Sequence, residues 1–225
     1  MNIRRPLIVS AGLVLAMACL SLTAIHFLPG SVPLRFNGDG MPTQYGSLDV
    51  PLAIMPLAAP LLTALFAVLS QAEPRRDNLV ASRVPYATRW IGGLLIIAAV
   101  HLWIIYTLVT TVRGAAPVDP ERLFMALAGA LIVIAGSQLA RLRSNFMIGI
   151  RTPWTLSDDQ TWQRTHRLAR APMMLVGLAI IVAAFAAPKA ILFVTVMTIV
   201  IATGIALAVL SYVFWHRGSA NGFGA

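Results

Sequence analysis

The apolar positions of this chain fall in long unbroken stretches, neither alternating as in a half-buried strand nor confined to the stripe of a soluble helix. Six stretches reach or approach the ~20 residues that a helix needs to cross a bilayer: Pro6 to Leu28, Pro51 to Ser70, Trp90 to Val112, Leu123 to Ala140, Ala171 to Ala187 and Ala190 to Phe214. The fifth is short and abuts Arg170. Only Pro188 and Lys189 part it from the sixth, which predicts a tight helical hairpin. The first run exceeds the roughly 7 to 15 apolar residues of a secretory signal and no small-x-small cleavage site follows, so it is expected to be retained as a span. The predicted fold class is all-α: a polytopic membrane bundle of six helices, one domain over residues 1–225. An outer loop is expected at 29–50, a motif loop at 141–170 and a flexible, glycine-rich tail at 216–225.

Composition agrees with that pattern. The 225 residues are 58% hydrophobic and only 11% charged, against the ~25% charged residues of soluble domains. The net charge of +9 is explained by topology. Arg4, Arg5, Arg75, Arg76, Arg83, Arg89, Arg141, Arg143, Arg151, Arg164, Arg167, Arg170 and Arg217 all fall on one side, whereas the other side has Arg35, Arg113, Arg122 and Lys189. Basic residues near span ends bias a loop inward, so both termini are expected in the cytoplasm of a bacterial cell, with the protein in its inner membrane. Anionic lipid accounts for this charge, and direct nucleic-acid binding is not expected. Cys19, the only cysteine, lies inside the first span, so neither an intrachain disulfide nor a thiolate metal cluster can form. Small residues recur four apart in the last span, as in Ala202 with Ala206 and Gly204 with Ala208, which predicts close helix packing within the chain.

Between the fourth and fifth spans the chain reads "NFMIGIRTPWTLSDDQTWQRTHR", from Asn145 to Arg167. Gly149 interrupts a continuing helix and Pro153 biases Thr152 toward extended backbone, so "GIRTPW" is expected to be a loop. "SDDQ" then predicts a capping box with Ser157 as N-cap and Gln160 reaching back. Asp158 and Asp159 lie at the positive end of the new helix. Winding Asp158 to Arg170 at 100° per residue places Trp162, Thr165, His166 and Ala169 on one face, and Gln160, Gln163, Arg164 and Arg167 on the other. That predicts an interfacial helix lying on the inner membrane surface. Two uses are open for it: an anchor, with Trp154, Trp162 and the arginines at headgroup depth, or a binding surface for a partner. The candidates for the second use are Asn145, Gly149, Arg151, Thr152, Pro153, Trp154, Thr155, Trp162, Thr165, His166 and Arg167.

The outer loop carries Pro29, Pro33 and Pro42 and an "NGDG" turn from Asn37 to Gly40. A calcium loop would need an acidic ligand where Arg35 stands and a glutamate where Gly46 stands, so a rigid or ligand-contacting turn is expected. Its candidate residues are Pro33, Phe36, Asn37, Gly40, Tyr45 and Gly46.

"FNGDGMPTQYGS" after a first span, with "NFMIGIRTPWTLSDDQTWQRTHRLA" between the fourth and fifth, resembles the SdpI family of six-span membrane proteins, including its accompanying amino-terminal domain of unknown function. The resemblance extends to "P-R-R-x-N" after the second span, here Pro74 to Asn78, and to a histidine in the third, here His101. It implies immunity: protection against a secreted, membrane-active peptide toxin made by the cell's own population, with signalling through a repressor held at the membrane. The family typically has histidine, aspartate and lysine where this chain has Arg35, Thr43 and Leu48, and glycine where it has Arg170. These departures count against carrying over a histidine- or charge-dependent role of the outer loop.

Other chemistry is not supported by the motifs. The only lysine, Lys189, lies between Pro188 and Ala190, which excludes a P-loop. The histidines His26, His101, His166 and His216 are scattered without an H-E-x-x-H pair, and no G-x-S-x-G is present. His101, near mid-span, reads as a neutral imidazole bonded to a neighbouring helix. It also keeps open a proton-coupled transporter, or an intramembrane hydrolase using a serine such as Ser137. The expected protein is a non-enzymatic bundle without cofactors. Its expected partners are lipid, a toxin peptide outside and a regulator protein inside, with a small-solute or lipid transporter as the alternative.

Overall fold

The computed structural model describes residues 3–36, 42–115 and 121–220. In order they form α1 (Arg4–Phe27), β1 (Ser31–Phe36), β2 (Pro42–Ser47), α2 (Asp49–Ala72), α3 (Arg76–Ala81), α4 (Arg83–Val112), α5 (Glu121–Ser137), a 3₁₀ turn (Leu139–Arg141), α6 (Pro153–Ser157), α7 (Asp159–Ala186) and α8 (Lys189–Ala220). Six helices, α1, α2, α4, α5 with the turn after it, α7 and α8, are long and apolar enough to cross a membrane. This is a multi-pass membrane protein, and each expected span falls on one of these helices, the first and fifth running one residue past its end. The tail expected at 216–225 is helical as far as Ala220; residues 221–225 lie outside the described residues.

Contacts cluster into two compact units. One comprises Asn2–Leu65 and Trp90–Pro120. There β1 and β2 pair as an antiparallel hairpin, with Ser31 opposite Ser47 and a register irregularity between Pro33 and Phe36. Val32 and Leu48 are buried with Ala24 of α1, Leu52 of α2 and Leu108 of α4. The expected outer loop is therefore mostly sheet, held down by apolar side chains from both ends of the hairpin.

The other unit comprises Phe66–Arg89 and Glu121–Ala225. Its helices α5 and α7 touch backbone to backbone: a Cβ added at Gly129 would come within 2.7 Å of the Gly177 carbonyl oxygen, and one added at Gly136 within 3.0 Å of Met173 Cβ. Only glycine permits that approach. The stripe expected to pack closely, on α8, does not. Ala202, Gly204 and Ala206 are exposed, and a Cβ at Gly204 would meet nothing within 4 Å. Small residues allow a close approach, but the partner helix decides whether one occurs. Ile180, Leu192 and Val196 join α7 to α8, and Arg122 completes the hairpin. Its Nη1 donates to the carbonyls of Ala184 (2.8 Å) and Phe185 (3.1 Å), and its Nη2 to that of Ala187 (3.2 Å). These are the carbonyls that a helix end leaves without intrahelical donors.

The separate interfacial helix is corrected. Residues 159–170 are the first turns of α7 itself, continuous with the fifth span. No terminator lies between Arg167 and Ala171. The buried positions Thr161, Trp162, Thr165, His166 and Ala169 continue at the same period into Gly177, Ile180 and Ala184. The face read as lipid-facing lies against protein.

Candidate functional site

At the end of the bundle where α7 begins, two connections knit together. The first, from Glu73 to Ser82, follows α2; the second, from Leu142 to Asp158, precedes α7. Glu73 is 1% exposed. Its carboxylate accepts from the backbone N–H of Arg75 (2.9 Å) and from that of Phe146 (2.9 Å), so one buried anion ties both connections. Arg75 does the same as a donor. Its guanidinium bonds the Ser144 hydroxyl and the Leu156 carbonyl (2.7 Å) and lies over the Phe146 ring at 5.1 Å from the centroid. Asn78 Nδ2 donates to the Ser144 carbonyl (2.8 Å), and the Arg143 N–H to Ser82 Oγ (3.0 Å). The "P-R-R-x-N" stretch is thus the counterpart of the longer motif.

Within the second connection, Asn145 is fully buried and folds its own loop: Oδ1 accepts from the N–H groups of Met147 (2.9 Å) and Ile148 (2.8 Å), while Nδ2 donates to the Arg143 carbonyl (2.7 Å). Gly149 has φ 118°, and a Cβ there would stand 2.5 Å from His166 Nε2 and 3.0 Å from the Trp162 ring. No other residue type fits. The next amide, Ile150 N–H, donates to His166 Nε2 (2.9 Å), and His166 Nδ1 lies 2.9 Å from the Trp162 carbonyl. Since Nε2 accepts, the proton sits on Nδ1 and the ring is neutral. The ring stacks on Trp162 at 4.0 Å, and Trp162 Nε1 donates to the Leu142 carbonyl (3.0 Å). With both nitrogens engaged, His166 holds the loop and has no lone pair for proton transfer.

The cap expected at Ser157 is displaced by one residue. Asp158 caps α7, its carboxylate accepting from the N–H groups of Gln160 (3.1 Å) and Thr161 (2.7 Å), while Ser157 Oγ donates back to the Trp154 carbonyl. Partial burial raises the Asp158 carboxyl, but the hydrogen bonds from Thr161 and Gln160, with Arg164 nearby, outweigh it and hold the group below its ordinary value. The capping box is on α6 instead: Thr155 N–H reaches Thr152 Oγ1 (3.3 Å) and Thr152 N–H reaches Thr155 Oγ1 (2.9 Å), with Pro153 at the first turn. Trp154 Nε1 donates to Ser211 of α8, and Thr152 Oγ1 lies 3.0 Å from the same hydroxyl.

Much of the predicted surface is therefore buried or half-buried. Asn145, Thr155, Trp162, Thr165 and His166 are buried, and Thr165 Oγ1 has no hydrogen-bond partner among the described residues. Arg151, Pro153 and Arg167 are exposed, and Arg151 spends one nitrogen on the Phe146 carbonyl (2.6 Å). In the hairpin Pro33 pairs with Tyr45, Gly46 pairs with Val32 and Phe36 with Pro42; the Tyr45 side chain is exposed. Asn37 and Gly40 lie outside the described residues. Sequence reasoning missed Glu73 and Ser211. A lone glutamate directly after a span was the available signal for the first; Ser211 is one serine in an apolar run and carries no signal.

His101 is fully buried and belongs to the other unit. Its Nε2 lies 3.1 Å from the Met17 carbonyl and 3.2 Å from Ser21 Oγ, and the Ser21 hydroxyl donates to the Leu52 carbonyl (2.8 Å). A carbonyl only accepts, so Nε2 carries the proton and Nδ1 is left as a bare acceptor, without a partner among the described residues. This polarity is the reverse of what activates a serine. Ser137, the serine named as a hydrolase candidate, donates to the Ile134 carbonyl (2.7 Å).

The comparisons with known proteins bear on this site directly. Residues 141–214 match the model of the SdpI/YfhL protein family. The immunity protein SdpI of Bacillus subtilis (strain 168) is 23% identical over 206 residues, which cover 89% of this chain and 93% of the relative. No solved structure matches. This chain is thus a membrane protein with six span-length helices that is similar to the SdpI/YfhL family over residues 141–214 and to the immunity protein SdpI over most of its length.

Proposed function

We propose that this is an immunity-type membrane protein that acts by binding rather than catalysis, against a membrane-active antimicrobial peptide. The observation that carries the reading is the similarity to a protein named for immunity across 89% of the chain. The asymmetry of basic residues supports an orientation with both termini in the cytoplasm and the protein in the bacterial inner membrane. In that orientation the hairpin with Tyr45 faces the exterior, where the peptide arrives. The knot around Glu73 and His166 faces the cytoplasm, and its exposed Arg151, Pro153 and Arg167 form the surface open to a regulator protein.

Expression in cells sensitive to such peptides, followed by challenge with a panel of them, tests the reading. Survival above the empty-vector control for at least one peptide is expected; unchanged killing across the panel rejects immunity. Arg151→Ala is expected to leave the amount of protein in the membrane unchanged while weakening capture of a regulator.

A second reading, a proton-coupled transporter of a small or lipidic solute, draws on the bare Nδ1 of buried His101. Proteoliposome uptake driven by a pH gradient, lost in His101→Leu, supports it. Uptake that the variant leaves unchanged rejects it.

A further inference from the structure

We infer that the groove between α5, α7 and α8 is a binding site for one acyl chain of an anionic phospholipid, with the headgroup phosphate held by Arg151 and Arg170. The groove is a cavity of about 250 Å³ lined by Ile132, Ile150, Met173, Val176, Val200 and Gly204, among others. Its polar lining is slight, and Thr203, whose side chain reaches it, spends its hydroxyl on the Ile199 carbonyl at 2.7 Å. Nothing water-soluble gains from such a lining. All of these residues but Ile150 belong to three spanning helices, so the medium around most of the groove is hydrocarbon, and the occupant that matches both medium and lining is a lipid tail.

The depth of the groove selects the headgroup end. Its shallow end is Ile150, in the loop before α6, and Leu207 of α8. One helical turn beyond Leu207 stand Ser211 and Tyr212. Ser211 receives the Trp154 indole N–H, and Tyr212 packs edge-on to Trp154 at 5.3 Å and stacks with His216 at 5.8 Å. A cluster of Trp, Tyr and His at the end of an apolar span marks headgroup level. At that level the chain supplies cations and no competing anion from the same turns. Arg151 directly follows Ile150 and is exposed with a single hydrogen bond, to the Phe146 carbonyl. Arg170 is exposed and stands one turn before Met173, within 60° of it on the helix by a 100° step per residue. Two guanidinium groups at the mouth of an apolar groove match a phosphate carried on an acyl chain.

The groove exists because α8 meets no backbone at Gly204, where an added Cβ would touch nothing within 4 Å. That same opening allows a clean test. Wild-type protein extracted in mild detergent and examined by native mass spectrometry is expected to retain phospholipid. When it is re-lipidated, phosphatidylglycerol should bind in preference to phosphatidylcholine. Gly204→Phe, which fills the groove, should abolish retention of both. Arg151→Gln with Arg170→Gln leaves the groove intact and should weaken phosphatidylglycerol binding by roughly 30-fold while leaving phosphatidylcholine unchanged. If Gly204→Phe fails to fold, the arginine pair alone decides the matter, because both side chains are exposed and their replacement removes only the hydrogen bond from Arg151 to the Phe146 carbonyl. Equal binding of the two lipids by the wild type, or phosphatidylglycerol binding unaltered in the double variant, overturns the assignment.

Discussion

Two buried histidines, one in each unit, have opposite fates. His166 has an N–H aimed at one nitrogen and a carbonyl at the other, so the ring is a neutral strut joining the Ile150 loop to α7. His101 has acceptors on Nε2 and nothing on Nδ1. Burial alone does not separate a structural imidazole from an available one; the partners on both nitrogens do. The motif around His166 invites a binding reading from sequence, yet most of its polar atoms are consumed inside the protein, whereas the plainer His101 retains free hydrogen-bonding capacity.

The contrast can be broken at several strengths, each measurable as a shift of thermal unfolding in detergent followed by tryptophan fluorescence. Gly149→Ala should be the most damaging, at about 3 kcal/mol, because φ 118° disfavours any side chain and the new Cβ would displace His166 from the Ile150 amide. Gly204→Ala, by contrast, should be neutral or slightly stabilising, since that position is open and helical. His166→Leu should cost about 2 kcal/mol, the penalty of a buried N–H left without its acceptor. His166→Gln should recover part of that loss. Asp158→Ala should cost about 1 kcal/mol through the lost cap of α7. The folded Asp158 carboxyl titrates below its unfolded value near 4. Its contribution is therefore complete above about pH 4 and fades as pH falls further, so the difference between wild type and Asp158→Ala should shrink in acid. His101→Leu should be mild beside His166→Leu, within about 1 kcal/mol, because the ring leaves one nitrogen unused and the Ser21 to Leu52 bond survives it. A His101 variant less stable than the His166 variant would reverse the comparison.

The spans were legible because a membrane helix announces itself through run length and composition alone, needing no knowledge of its neighbours. The helix start near Asp158 was legible to within one residue for a similar reason: a cap is a local hydrogen bond between residues two or three apart. The hairpin at 31–47 was not read, although "NGDG" is a turn signal, because its strands are short, carry Pro33 and Pro42, and gain their stability from Val32 and Leu48 against α1, α2 and α4.

What this sequence settled by itself is that the chain lives in a bilayer, how many times it can cross, which loops carry the charge, and which family its motifs resemble. What only tertiary structure decided is the use of those motifs. The face of α7 bearing Trp162 and His166 has the same apolar pattern whether it meets lipid or protein. It was the partners contributed from Glu73, Leu142 and Ile150 that turned it inward. The small residues of α8 look as fit for close packing as Gly129 and Gly177, and only the second pair found a backbone within reach. Periodicity tells which residues share a face; what that face touches depends on chain segments distant in sequence.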